Sequence, residues 1–189
     1  MAGSAITDAI LEAAEQLLGA EGMAGFTTNR VAEAAGVSVG SLYQYFPNKE
    51  SILAEVSRRV ERRTEERLRR AFEESRGLPL VETTAAVVDA LIGQDIGTYR
   101  LRRTLRAEVP AAWTMDTSEG VDARVRSMLV EVLAHHPEVR PGSHALIAWI
   151  IAHSIEHAIE AVVLNRPELL EHPLFRQELI ELATRYLRA

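Results

Sequence analysis

The chain has 189 residues, of which 47% are apolar and 25% charged, enough to bury a sizeable core and too apolar for a disordered chain. Its net charge of −6 and pI near 5.6 exclude a nucleic-acid binder that uses its whole surface, so any such contact must be local. Cysteine is absent, which excludes disulfides, a thiolate nucleophile and cysteine-ligated metal centres and fits a reducing cytoplasm. The longest strongly apolar run, Ala145 to Ala152, is short of the ~20 residues of a membrane helix, and Met1 to Ile6 lack the features of a signal peptide. An unprocessed cytoplasmic chain with no membrane partner is expected.

Helical apolar spacing begins at once. Ile6, Ile10, Ala13, Ala14, Leu17 and Leu18 share one face of a helix predicted over Ser4 to Ala20, which Gly22 and Gly25 end. A short helix then starts near Thr27 or Thr28, whose hydroxyl can cap it, and buries Val31, Ala32 and Ala35 before Gly36 turns the chain. Ser38 is placed to cap a second short helix, Val39 to Tyr45, closed by Pro47, and Asn48 to cap the next. Two short helices around a tight glycine turn form a helix-turn-helix pattern.

A long helix follows from about Lys49 to Glu74, broken at Gly77-Leu78-Pro79. Further helices are predicted over Val81 to Ile92, Ile96 to Val109, Val121 to His135, Ser143 to Leu164 and Pro173 to Leu187. No stretch alternates with period two. The expected fold is therefore all-α, with an N-terminal three-helix domain over 1–48 and a larger helical domain over 49–189, the long helix joining them.

A helix of only about two turns is not stable alone, so Leu42 and Phe46, one turn apart, must pack inward against Val31 and the first helix. Val39, Gly40, Ser41, Tyr43, Gln44 and Tyr45 are then left nearer the outside. Two tyrosines beside a glutamine are a poor solvent face but suit a DNA groove. Gly40 permits close approach of the backbone at a helix-propensity cost of about 1 kcal/mol. Gln44 can donate to and accept from adenine, and Ser38 and Ser41 can bond base edges or phosphate. The hydroxyls of Thr28, Tyr43 and Tyr45, with Lys49 at a helix N-terminus, suit phosphate oxygens.

The run from Phe26 to Glu50, with its Ala35-Gly36-Val37-Ser38 turn, Gly40-Ser41-Leu42-Tyr43 helix, Tyr45-Phe46 and Lys49-Glu50, resembles the DNA-binding segment of the tetracycline-repressor (TetR) family over about 24 contiguous residues. The resemblance implies that Thr28, Tyr43, Tyr45 and Lys49 hold the DNA backbone while Ser38 to Ser41 and Gln44 read sequence. It also implies a C-terminal domain for ligand binding and dimerisation, whose two final helices form a four-helix dimer interface.

In that C-terminal part, Leu146 to Ala152 are apolar in succession and wrap the whole circumference of a helix. One side can be covered by the chain itself, and a second copy is expected to cover the other, next to the last helix with Leu174, Phe175, Leu179 and Leu182. A homodimer also fits twin short helices reading a palindromic site about one duplex turn apart. Candidates for an effector cavity are Tyr99, Trp113, Met115, Met128, Trp149 and His153. The seven arginines between Arg58 and Arg70 are expected to form a solvated face, with Glu65–Arg69 and Glu66–Arg70 as i,i+4 pairs.

The expected function is a ligand-responsive, non-enzymatic transcriptional regulator, a repressor, that binds a double-stranded DNA operator as a homodimer and is released by a small, mostly apolar effector. No cofactor or metal is expected. Two other functions fit parts of the chain. His153-Ser154-Ile155-Glu156-His157 spells H-x-x-E-H with histidines at i and i+4, as in a zinc hydrolase, yet no further ligand follows in a recognisable context. A helical ligand-binding dimer without DNA affinity is the other.

Within residues 26–49 the charges are Arg30 and Lys49 against Glu33. So few cations imply weak non-specific binding and a shallow dependence of log affinity on log salt. A binding titration across salt concentrations checks this, and a steep slope would overturn the cation-poor interface.

Overall fold

The computed structural model describes residues 2–93, 96–108 and 118–188, with side chains described for 5–93, 98–105 and 124–188. Among the described residues there are nine α-helices: α1 (Ala2–Glu21), α2 (Thr28–Ala34), α3 (Val39–Tyr45), α4 (Lys49–Glu74), α5 (Leu80–Ile92), α6 (Ile96–Glu108), α7 (Ser118–His135), α8 (His144–Asn165) and α9 (Pro173–Leu187). They contain no strand, only one isolated antiparallel bridge between Val139 and Arg188. The all-α expectation holds, and predicted helix ends fall within a few residues of the observed ones. Short 3₁₀ turns at Gly22–Gly25 and Pro167–Glu171 carry no periodic pattern and were not foreseen.

The chain packs into two compact units, residues 1–62 with 96–119 and residues 63–95 with 120–189, so α4 contributes to both. In the first unit, Ile10, Ala14 and Leu18 of α1 are fully buried, with Phe26, Val31, Leu42, Ile52 and Val56 around them and Leu101 and Leu105 of α6 closing the core. Arg59 of α4 reaches α1 through Glu15, 3.3 Å away, and Asp8.

In the second unit α5 packs along α9, and Leu80, Val88, Ile155, Ile159, Val163 and Leu187 are buried. A hydrogen bond of 2.8 Å between the buried hydroxyls of Thr84 and Thr184 joins these two helices, as does the pair of Arg176 with Asp89. By length and composition α8 is apolar enough to cross a membrane. Its Ile147, Ala148, Ile151, Ile155, Ile159 and Val163 instead form a buried stripe inside the unit.

One expected pair is replaced. Glu66 does hold Arg70, at 2.8 Å, but Glu65 takes both nitrogens of a fork from Arg124 of α7, at 2.8 Å each, and Arg69 turns to Glu73. A planar guanidinium matched to both carboxylate oxygens gives a bidentate contact that an i,i+4 neighbour on the same helix does not. Helical spacing alone could not reveal a partner 59 residues away.

Pro79, at the N-cap of α5, has no side-chain oxygen for the first free N–H groups. Glu138 supplies it, accepting from the Leu80 N–H at 2.9 Å and from Arg188 at 2.6 Å. The Leu80 N–H, and then the Arg188 guanidinium, hold the Glu138 carboxyl below the usual carboxylate range. A carboxyl lowered by folding stabilises the native state at pH values above its unfolded value, about 4.3, and that contribution is lost as pH falls through the lower folded value. Glu138→Gln is therefore expected to lower the Tm at pH 7, with the gap to the native protein closing in thermal unfolding scans at progressively more acidic pH.

Candidate nucleic-acid interface

The turn between α2 and α3 is built by hydrogen bonds that glycine makes possible. Gly36 adopts φ +67°, the left-handed region that side chains other than glycine rarely occupy. Its N–H donates to the Glu33 carbonyl at 3.1 Å and the Val37 N–H to the Ala32 carbonyl at 3.0 Å, which satisfies two free carbonyls at the end of α2 and reverses the chain. Each following helix is capped as its sequence implies. The Thr27 hydroxyl accepts from the Arg30 N–H at 3.3 Å, the Ser38 hydroxyl from the Ser41 N–H at 3.0 Å and the Asn48 carboxamide from the Ser51 N–H at 2.8 Å.

These caps set where α3 begins, and packing against the core sets its faces. Leu42 and Phe46 are buried against the core, while Val39, Gly40, Tyr43, Gln44 and Tyr45 are exposed and Ser41 is half-buried. Tyr43 has 47% of its surface free, an unusual position for a large ring. A Cβ added at Gly40 would meet only the Ser38 hydroxyl, at 3.9 Å, so nothing inside the chain requires glycine there. The Thr28 hydroxyl lies 3.2 Å from the Tyr43 hydroxyl and links the start of α2 to the middle of α3. Lys49, at the N-terminus of α4, sits with its ammonium 5.5 Å from the centre of the Phe26 ring. All nine sequence-derived residues thus lie on α3, at its cap, or at the first residue of a flanking helix.

The structure adds a group that the sequence did not reveal. Arg30 makes a fork with Glu21, at 2.5 and 2.7 Å, and donates at 2.9 Å to the Gly25 carbonyl. The hydrogen bond lowers the Glu21 carboxyl from its usual value and raises the Arg30 guanidinium. One of the two cations between residues 26 and 49 is therefore already engaged. Nine residues separate the partners across a break in the helices, where periodicity gives no register.

The six effector candidates separate. Tyr99 is buried in α6 of the first unit, and Trp113 and Met115 lie outside the described residues. Met128 lines an open cavity of about 760 Å³ in the second unit, together with Phe72, Thr83, Val132, Arg76 and His135 among others. Neither Trp149 nor His153 borders it. Those two stack on α8 with ring centres 4.3 Å apart, and His157 continues the stack at 5.9 Å. The Nδ1 atoms of His153 and His157 lie 2.8 and 2.9 Å from the carbonyls of Trp149 and His153. Since a carbonyl only accepts, each Nδ1 carries the hydrogen. Among the described residues no three His, Cys, Asp or Glu side chains converge as a metal site.

Leu146 and Trp149 on α8 and Leu174 and Leu182 on α9 are about half exposed or more, leaving an apolar surface on the last two helices.

Two family models match the chain: bacterial regulatory proteins of the tetR family over residues 10–56, and the tetracyclin repressor-like C-terminal domain over residues 79–187. No curated protein sequence matches. Among solved structures the chain is similar to the fatty acid degradation regulator FadR from Bacillus halodurans, with 19% identity over 95% of this chain and 94% of that one at a TM-score of 0.79. It is also similar to a TetR-family regulator from Rhodococcus sp. (22%, 97% and 99%, 0.73) and to GusR of Salmonella enterica (19%, 96% and 95%, 0.74). At such identities the likeness concerns the fold, whereas the family models span both the helix-turn-helix segment and most of the rest. The chain belongs to the TetR family of bacterial transcriptional regulators.

Proposed function

We propose that the protein is a cytoplasmic, non-enzymatic repressor that binds a palindromic DNA operator as a homodimer and is released by a small, mostly apolar effector. The observation that carries this reading is the division of α3, with Leu42 and Phe46 buried and Gly40, Tyr43, Gln44 and Tyr45 outward. Ser38 to Ser41 and Gln44 read bases, and Thr28, Tyr43, Tyr45 and Lys49 hold phosphates. Residues 1–48 serve DNA, and residues 49–189 serve dimerisation and the effector. The exposed Leu146, Trp149, Leu174 and Leu182 support a second copy as the cover of α8 and α9.

The effector acts only if it binds more tightly to a dimer whose two α3 helices are wrongly spaced for adjacent half-sites, since equal affinity for both states shifts nothing. The cavity that Met128 lines with Phe72, Leu78 and Val132 supports a place for it in the second unit.

Selection of bound sequences from random duplex DNA tests the reading. A palindrome with half-sites one helical turn apart is the expected product, and recovery of no preferred sequence would refute operator recognition. On the recovered duplex, Gln44→Ala is expected to cost about 1–3 kcal/mol and to relax the preference at one base pair of each half-site, read by competition titration. Trp149→Glu places a charge in the apolar face of α8. It is expected to give monomers in sedimentation and to lose operator binding, while a variant that stays dimeric would move the interface elsewhere.

A further inference from the structure

We propose that Glu21, Arg30 and the Gly25 carbonyl form a positioning tie for the DNA-reading surface, and that Arg30 is not a phosphate contact. This rests on the DNA-binding reading above. Between α1 and α2 the chain passes through the turn Gly22–Gly25, in which no residue is fully buried and Met23 alone is a partly buried side chain packed against the core, so the turn itself holds the start of α2 to the end of α1 only weakly. Arg30 spans that gap with three hydrogen bonds. Its Nη1 and Nη2 take the two oxygens of Glu21, at the end of α1, and Nη1 also takes the Gly25 carbonyl in the turn.

The backbone of the same residue is held as well, by the Thr27 hydroxyl on its N–H. Two residues earlier, Thr28 meets Tyr43 across 3.2 Å, so the first turn of α2 carries both the tie to the end of α1 and a contact to the outward face of α3. Space is matched to the tie. A Cβ at Gly25 would fall 2.9 Å from Arg30 Nη1 and closer still to the Glu21 side chain, so the carboxylate occupies room that only glycine leaves. Both charges are partly exposed, and an isolated exposed pair contributes little, but a two-pronged fork with a third acceptor restricts geometry in a way a single contact does not. Three of the five N–H donors of Arg30 are committed to Glu21 and Gly25, and the Glu21 carboxylate balances its charge, which leaves it a weak attractor for phosphate, in keeping with a cation-poor interface.

The test compares Arg30→Ala, Glu21→Ala, Gly25→Ala and the charge-swapped pair Glu21→Arg with Arg30→Glu. The probes are the selected operator duplex and a mixed-sequence duplex over a range of salt, with far-UV circular dichroism reporting helix content. A positioning role predicts a roughly five- to twentyfold loss of operator affinity in each of the first three, unchanged mixed-sequence affinity and salt slope, and substantial recovery in the swapped pair. A salt slope reduced by about one per chain in Arg30→Ala, with Glu21→Ala unaffected, would make Arg30 a phosphate contact and overturn the proposal. So would operator affinity unchanged in all variants, or a swapped pair no better than Arg30→Ala. Amide exchange at Arg30 and Val31 reads the tie without DNA. Faster exchange in Glu21→Ala is expected, and unchanged exchange overturns the tie even where the operator reading stands. Failure of the native protein to select any duplex, with exchange behaving as expected, would instead refute the operator reading.

Discussion

A seven-residue helix has no stability of its own, and the placement of α3 therefore depends on two side chains, Leu42 and Phe46, set into the core with Val31, Phe26 and α1. Everything expected of the outward face follows from that burial. Because residues one turn apart share a face, fixing Leu42 and Phe46 inward directs Tyr43, Gln44 and Tyr45 outward without any further instruction. The Ser38 cap and the left-handed turn at Gly36 set where the helix begins, and the core sets how it is rotated.

Local chemistry made most of this legible in the sequence. Gly36, Ser38, Asn48 and Pro47 act through their own backbone neighbours, and the helix ends they imply around α3 match those observed, as do the bounds Lys49–Glu74 and Pro173–Leu187 read from the apolar spacing and its breaks. What was not legible is what acts across distance. The fork between Glu21 and Arg30, the exchange of Arg69 for Arg124 as the partner of Glu65, and the cap given to Leu80 by Glu138 all join residues whose separation carries no periodic signal. The effector candidates share size or polarisability, properties that say nothing of direction. Tyr99 enters a core, Trp149 faces outward, and Met128 meets a cavity whose further lining residues include Phe72 and Val132, ordinary core positions in the sequence pattern, and charged residues of α4 and α7.

The charge distribution is coherent with a reader of base edges more than a binder of bulk nucleic acid. The acidic net charge is not offset by a basic patch at α3. Arg58 and Arg62 of α4 are drawn to Glu55, whose burial is outweighed by these two bonds so that its carboxyl lies below the usual range, and Arg59 is drawn to Glu15. Hydroxyls, a carboxamide and one ammonium carry the polar chemistry left at α3 and its flanks. Such groups depend on alignment, because a neutral hydrogen bond weakens steeply once its geometry is lost, whereas a bare cation is tolerant of position.

The cap that Glu138 gives to α5 has a consequence for the order of assembly. The first turn of α5 has no donor-satisfying group within its own stretch of chain, since Pro79 offers none, and its acceptor arrives only with residue 138, itself paired to Arg188 at the far end of the sequence. During synthesis this corner stays incomplete until residues 138 and 188 have both emerged. The start of α5 thus gains its cap only once the segment around Glu138 and the end of α9 are in place, a long-range closure that local helix formation does not supply.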